Sequence, residues 1–236
     1  MTIPFRPSLE ELNRRAQELQ VLMSDPESGP SDELAETLLW TGVEAELIAE
    51  DVASRVAGVA RIADLASNPR KAASQLLVTS LVINFAAERL LAGCGLAVRA
   101  VTGGARWAAA PGSGLRIDQG LDLPLNGATA ALTGGRLHHW LVVEGFLVDF
   151  SVRFLEARLQ RMLSAARDDR GLPLQVGATF WASMSALAHR LDQPMPDLSA
   201  GRDGLPYTYH AGSEALHASL RAAIRERGRG HFDCFL

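Results

Sequence analysis

His138 and Asp149 stand at a spacing that one simple fold element would bring together. They lie in Leu137-His138-His139-Trp140-Leu141-Val142-Val143-Glu144-Gly145-Phe146-Leu147-Val148-Asp149-Phe150-Ser151. Runs rich in Val, Leu and aromatic residues flank Glu144-Gly145, which is a hairpin signal. With those two residues as the turn, Val143 opposes Phe146, Val142 opposes Leu147, Leu141 opposes Val148 and Trp140 opposes Asp149. Opposed residues share a face, as do residues two apart on a strand, so His138 and Asp149 become diagonal neighbours within reach. A carboxylate beside an imidazole selects its tautomer and raises its basicity, as a general base requires. The same spacing equally describes an ordinary His-Asp contact in a hairpin, and a one-residue slip would put the two on opposite faces. His139 points away from His138 and is expected to pack or to support.

The other reactive side chains are weaker candidates. Cys94 stands between Gly93 and Gly95 at the end of a helical run. There the helix dipole disfavours a thiolate, so a structural role is expected. Cys234 near His231 is at most a two-ligand fragment at the end of the sequence. His189, His210 and His217 have no metal-ligand spacing with one another and are assigned to surface or core. No metal and no cofactor are expected. Ala110-Pro111-Gly112-Ser113-Gly114 lacks the Gly-Lys-Ser/Thr ending of a phosphate loop and reads as a turn, or as a lid leading into the His138 strand.

Several elements have to position the pair. Ser8, with Glu11 three residues on, caps a helix expected to run to about Met23. Asp25 to Pro30 is a loop. Ser31 then caps a long helix with Glu33, Glu36, Glu44 and Glu46 outside and Leu34, Leu38, Leu39, Val43 and Leu47 inside, which Gly42 and Gly58 are positioned to break or bend. A third helix, Arg70 to Ala92, is so apolar between Leu76 and Ala87 that it should be buried on most sides. Gly93-Cys94-Gly95 ends it and Leu96 to Val101 is a strand. Thr102 to Arg136 is a long Gly/Ala-rich connection with a short strand at Leu115-Arg116-Ile117. Val152 to Ala166 reads as an amphipathic helix, Thr179 to Leu191 as strand or helix, and Pro194 to Pro206 as a loop. Ser213 to Arg227 is a last helix whose arginines form a solvated face. Helices first, strands next and helices last make an α+β protein.

The chain has 236 residues, 47% hydrophobic and 21% charged, as in folded globular proteins. A net charge of −4, with acids and bases interspersed, provides no basis for nucleic-acid binding. No apolar run reaches membrane-spanning length, so no membrane partner is expected. Two cysteines suit a reducing compartment, and the expected location is cytoplasmic.

Upstream of the hairpin the chain reads Gly95-Leu96-Ala97-Val98-Arg99-Ala100-Val101-Thr102-Gly103, then His138-His139-Trp140, then Val148-Asp149-Phe150-Ser151. A buried helix, a Gly turn, a strand, a His-x-Trp strand and an Asp strand in this order resemble the transglutaminase-like branch of the papain-like cysteine hydrolases. The likeness covers about Ala72 to Phe154 and is to compact bacterial members. It implies a single α+β domain over 1–236: a helical addition (1–66), a transglutaminase-like core (67–192), and a loop with a C-terminal helix (193–236). It also implies acyl transfer or amide hydrolysis on a peptide or protein substrate, or on a small amide or ester.

The sequence departs from that family at the nucleophile. The family's interval of about fifteen residues before Gly95 leads to Ser80, beside Thr79, and no Cys occupies that part of the helix. The resemblance makes Ser80 the nucleophile, His138 the base and later the acid, and Asp149 the group that orients His138. Gln75 is a weak oxyanion-hole candidate. Ser80 reads equally as a working hydroxyl nucleophile, a natural loss of activity or a replaced Cys. Its local reading is a helical Ser bonded back to a carbonyl. The alternative function is an inactive scaffold of the same fold that binds a peptide or protein.

Overall fold

The computed structural model describes residues 8–17, 20–23, 29–59, 82–108, 116–119, 137–152, 184–194 and 207–227. Ser80, Gln75 and Cys234 lie outside them, as do the helix read after Val152, most of the 194–206 loop and the Gly-rich segment at 110–114. The architecture is α+β. Helices α1 (Leu9–Ala16), α2 (Asp32–Val59) and α3 (residues 82–93) precede or interleave the strands, and α4 (Glu214–Arg227) follows them. The strands are β1 (Gln20–Met23), β2 (Val98–Ala108), β3 (Arg116–Gln119), β4 (His138–Val143), β5 (Phe146–Asp149), β6 (Met184–Arg190) and β7 (Tyr207–Ala211). They form one sheet in the order β1-β6-β5-β4-β2-β3, with β7 also paired to β2. Among the described residues the β1–β6 pairing is parallel and the other pairings are antiparallel.

The central hairpin has the register its turn dictates: Val143 pairs with Phe146, Val142 with Leu147 and Leu141 with Val148. Glu144 (φ 48°) and Gly145 (φ 83°) are both left-handed, the twist that suits a two-residue hairpin. The Glu144 carboxylate also accepts the Ala97 N–H at 2.7 Å, lashing the turn to the α3–β2 connection. Helix α3 ends as Gly93-Cys94-Gly95 suggests. Leu96 N–H donates to Leu91 O and Gly95 N–H to Ala92 O, with Gly95 at φ 81°, which is a Schellman closure. Cys94 in this closure is exposed, so it is no buried structural thiol.

One face of the sheet carries Leu141, Val143, Val148, Phe150, Ala186 and Ala188, packed against Leu38, Ala45 and Ile48 of α2 and Val82, Ile83, Ala86 and Leu91 of α3. The other face carries Trp107, Trp140, Leu147, Leu187, Tyr207 and Tyr209. The sheet curls strongly toward this second face. In a flat sheet, β7 and β5 would stand three strand spacings apart, about 14 Å. Yet the Tyr209 hydroxyl lies 2.7 Å from Asp149 Oδ2. Gly103 permits the curl, because it pairs with His138 on one edge and Ala211 on the other. A Cβ there would collide with His210 O and stand 2.8 Å from the Trp140 ring.

Several expectations are corrected. The first helix stops at Ala16, and Gln20–Met23 is a strand instead, paired in parallel with β6. Backbone pairing at a sheet edge there overrides a helical sequence pattern. The connection after Val101 is shorter than expected, since β2 continues to Ala108. Residues 184–190 resolve as a strand, and β7 has no counterpart in the sequence reading. Helix α2 runs unbroken past Gly42 from a Ser31 cap that accepts Leu34 N–H at 3.3 Å, and Gly58 stands one residue from its described end. Glu46 is buried rather than exposed. Arg221 is only partly solvated: it pairs with Glu88 of α3 at 2.8 Å and lies 5.3 Å from the centre of the Phe85 ring.

Candidate functional site

His138 opens β4 and Asp149 closes β5, and antiparallel pairing brings the two to the same end of the sheet. Their side chains meet on the aromatic face, with His138 Nε2 2.7 Å from Asp149 Oδ2. Asp149 fills all of its acceptor positions. Oδ1 accepts Ser151 N–H at 2.8 Å and the Ser151 hydroxyl at 2.6 Å, while Oδ2 takes His138 and the Tyr209 hydroxyl. Burial alone would push the Asp149 carboxyl up. Adjacent His138, with its hydrogen bond and those of Ser151 and Tyr209, more than offsets that and holds it below the usual carboxylate range. Asp149 is therefore an anion, and it holds a proton of His138 on Nε2.

The remaining nitrogen, His138 Nδ1, is buried without a hydrogen-bond partner among the described residues. Aromatic rings enclose the imidazole: Trp107 meets it edge-on at 4.7 Å, Trp140 stacks at 5.9 Å and Tyr209 is tilted at 5.6 Å. The dyad thus combines one buried charge, one oriented imidazole and one ring nitrogen without a partner among the described residues, in buried surroundings. Such a group can take a proton from a nucleophile and return it to a leaving group.

Helix α3 approaches this end from the opposite face. Asn84 Nδ2 donates to His139 O at 2.9 Å and Asn84 Oδ1 accepts Phe150 N–H at 3.2 Å. One buried amide thereby staples α3 to the residues that directly follow His138 and Asp149. His139 points the other way from His138, as read from the strand period. Its Nδ1 lies 2.9 Å from Thr102 Oγ1, which is 2.8 Å from His217 Nδ1. Burial, with His138 and His217 nearby, holds the His139 imidazole well below its ordinary value. His217 is also lowered, first by burial and then by Arg221 and Arg99. It lines a cavity of about 310 Å³ with Glu88, Arg99, Thr102, Ser213 and Arg221.

Of the three expected site residues the structure joins two, His138 and Asp149. Ser80 lies outside the described residues. His189 is buried and bonded to the Tyr207 hydroxyl at 3.1 Å, whereas His210 is exposed. Asn84, Ser151 and Tyr209 escaped the sequence reading. The alternation Tyr207-Thr208-Tyr209, two aromatics on one face of a short run, is the signal that could have located β7. Among the described residues no group of three His, Cys, Asp or Glu side chains converges to hold a metal ion. No helix among them is long and apolar enough to cross a membrane. No protein-family profile, no curated protein and no solved structure matches the chain.

Proposed function

We propose that the protein is a transglutaminase-like or papain-like acyl-transfer or amide-hydrolysis scaffold, with His138 as base and acid, Asp149 as its orienting anion and Ser80 as nucleophile. The observation that carries this reading is the dyad itself. Nε2 is committed to a buried carboxylate, while Nδ1 has no partner among the described residues. In the reaction, the Ser80 hydroxyl adds to the substrate carbonyl and passes its proton to Nδ1. Asp149 stabilises the imidazolium that forms, and the proton then goes to the departing amine or alcohol. Acceptance of the acyl group by water or by an amine completes hydrolysis or transfer.

The Asn84 staple brings α3 to the end of the sheet that carries the dyad, on the opposite face. Ser80 precedes Val82 by two residues, at most about 7 Å of chain. The described start of α3 is pinned to the backbone beside both members of the dyad.

Burial favours a second reading. His138 is 1% exposed and Asp149 0%. A dyad without access to substrate is what an inactive scaffold that binds a peptide or protein would retain.

A Ser80→Cys variant alkylated with iodoacetamide at pH 6 tests the assignment, with the labelled positions read by mass spectrometry. The introduced thiol is expected to react at least tenfold faster than exposed Cys94, and His138→Asn should abolish that advantage. Reaction no faster than at Cys94 overturns the site. If the thiol is activated but a fluorophosphonate fails to label Ser80 in the unaltered protein, the inactive scaffold is the correct reading.

A further inference from the structure

Asp149 is held by three partners, and one of them comes from a remote part of the chain. Ser151 is two residues away and occupies Oδ1. His138 is its hairpin partner. Tyr209, from β7, donates to Oδ2, the same oxygen that bonds His138. Behind it, Trp107 Nε1 donates to the Tyr209 hydroxyl at 3.1 Å, and the two rings meet at 90°.

We propose that Tyr209, backed by Trp107, is a positioning residue for the dyad: the chain Trp107 Nε1–H to Tyr209 O–H to Asp149 Oδ2 fixes the carboxylate oxygen that orients His138. It extends the acyl-transfer reading, but its test does not depend on any reaction being observed.

The directions of donation are unambiguous. An indole N–H can only donate, so the Tyr209 oxygen accepts from Trp107 and its proton is directed to Asp149. Burial and the adjacent carboxylate push the Tyr209 phenol well above its ordinary range, which keeps that proton in place. A hydrogen bond received by a hydroxyl also strengthens the one it gives. Trp107 therefore acts on Asp149 through Tyr209. With Ser151 gripping only Oδ1, the Tyr209 bond opposes rotation of the carboxylate about its Cβ–Cγ bond. It also shares the load on Oδ2, the oxygen that His138 would otherwise hold alone. Of the titratable groups nearby, His138 of β4 and Tyr209 of β7 bond Asp149 directly, His139 of β4 feels its charge from the opposite face, and Tyr207 of β7, tied to His189 of β6, stands beyond Tyr209.

The test is a pH titration of the Asp149 carboxyl carbon by NMR in the full-length protein, with Tyr209→Phe and Trp107→Phe alongside. Loss of the Tyr209 donor is expected to raise the Asp149 midpoint by about one pH unit. Trp107→Phe, which keeps the hydroxyl, should raise it by less, in the same direction. The His138 Nε2 proton should exchange with solvent severalfold faster in Tyr209→Phe. A purely structural Tyr209 would lower the melting temperature without moving the Asp149 midpoint, and that outcome overturns the proposal. Should Tyr209→Phe fail to fold, an unmoved midpoint in Trp107→Phe overturns it instead. Neither result bears on whether Ser80 is a nucleophile, which the alkylation experiment decides.

Discussion

Asp149 is a buried charge made tolerable by four hydrogen bonds, and removing that charge tests how much the fold relies on it. Asp149→Asn leaves a neutral amide facing donors arranged for an anion, and breaking a buried pair of this kind costs about 3 kcal/mol. The deficit should depend on pH in a defined sense. The Asp149 carboxyl titrates below its ordinary value in the folded protein. Its contribution is therefore fully present above the unfolded value, about 3.9, and disappears as pH falls through the lower folded value. Urea unfolding at neutral pH should show the full difference between Asp149→Asn and the unaltered protein, and the difference should shrink below about pH 4. An equal deficit at pH 7 and pH 3 would assign the loss to packing alone. This residue was legible in the sequence, because strand period and turn place Asp149 diagonal to His138. Tyr209 was not. Its hydroxyl reaches Asp149 from a strand three places away, across a curl that local spacing does not encode.

At the scale of elements, that curl depends on β2. The strand serves β4 along its first half and both β3 and β7 along its second, and Gly103 sits at the handover. Gly103→Ala would drive a methyl group into His210 O and toward Gly212 N, both backbone atoms of the β7 region that cannot swing aside. The expected outcome is a loss of about 3 kcal/mol or more, with faster amide exchange across Tyr207–Ala211. Gly93→Ala is the internal contrast: nothing lies within 4 Å of a Cβ there, so little destabilisation is expected. Matching midpoints for the two variants would contradict a close approach at Gly103. The hairpin itself was readable because Glu144-Gly145 sits between two apolar runs, and α4 was readable from Ser213, whose hydroxyl does accept Leu216 N–H at 3.2 Å. Gln20–Met23 was misread for a physical reason: its partner, β6, lies far along the chain. A helical pattern continuing from α1 contains no trace of that pairing.

Across the whole molecule, three elements meet at one hydroxyl. Thr102 of β2 bonds both His139 of β4 and His217 of α4, and it has a single proton to give. Whichever ring receives that proton, the other must itself donate, so the two tautomers are coupled through Thr102. Sequence spacing could not reveal this, since the His217 contact closes a long loop onto a strand whose length was underestimated. The coupling has a consequence for stability. Both imidazoles are lowered in the folded protein, principally by burial. Above about pH 6.5 both are neutral whether folded or unfolded, and they add no pH dependence. As pH falls below that value, the unfolded chain takes up protons that the folded protein refuses. Stability therefore declines, by up to about 1.4 kcal/mol per pH unit for buried His139 and by less for half-buried His217, whose charge solvent screens, until the folded values are reached. This window lies above that of Asp149, so two successive losses are expected on acidification. Urea midpoints measured from pH 7.5 to pH 5 should fall in the unaltered protein. His217→Asn, whose amide can still meet Thr102, should flatten the decline in part, as the less buried of two titrating groups is removed. An unchanged slope in His217→Asn would mean that protonation acts elsewhere, and that the Thr102 junction joins α4 to the sheet without making it pH-sensitive.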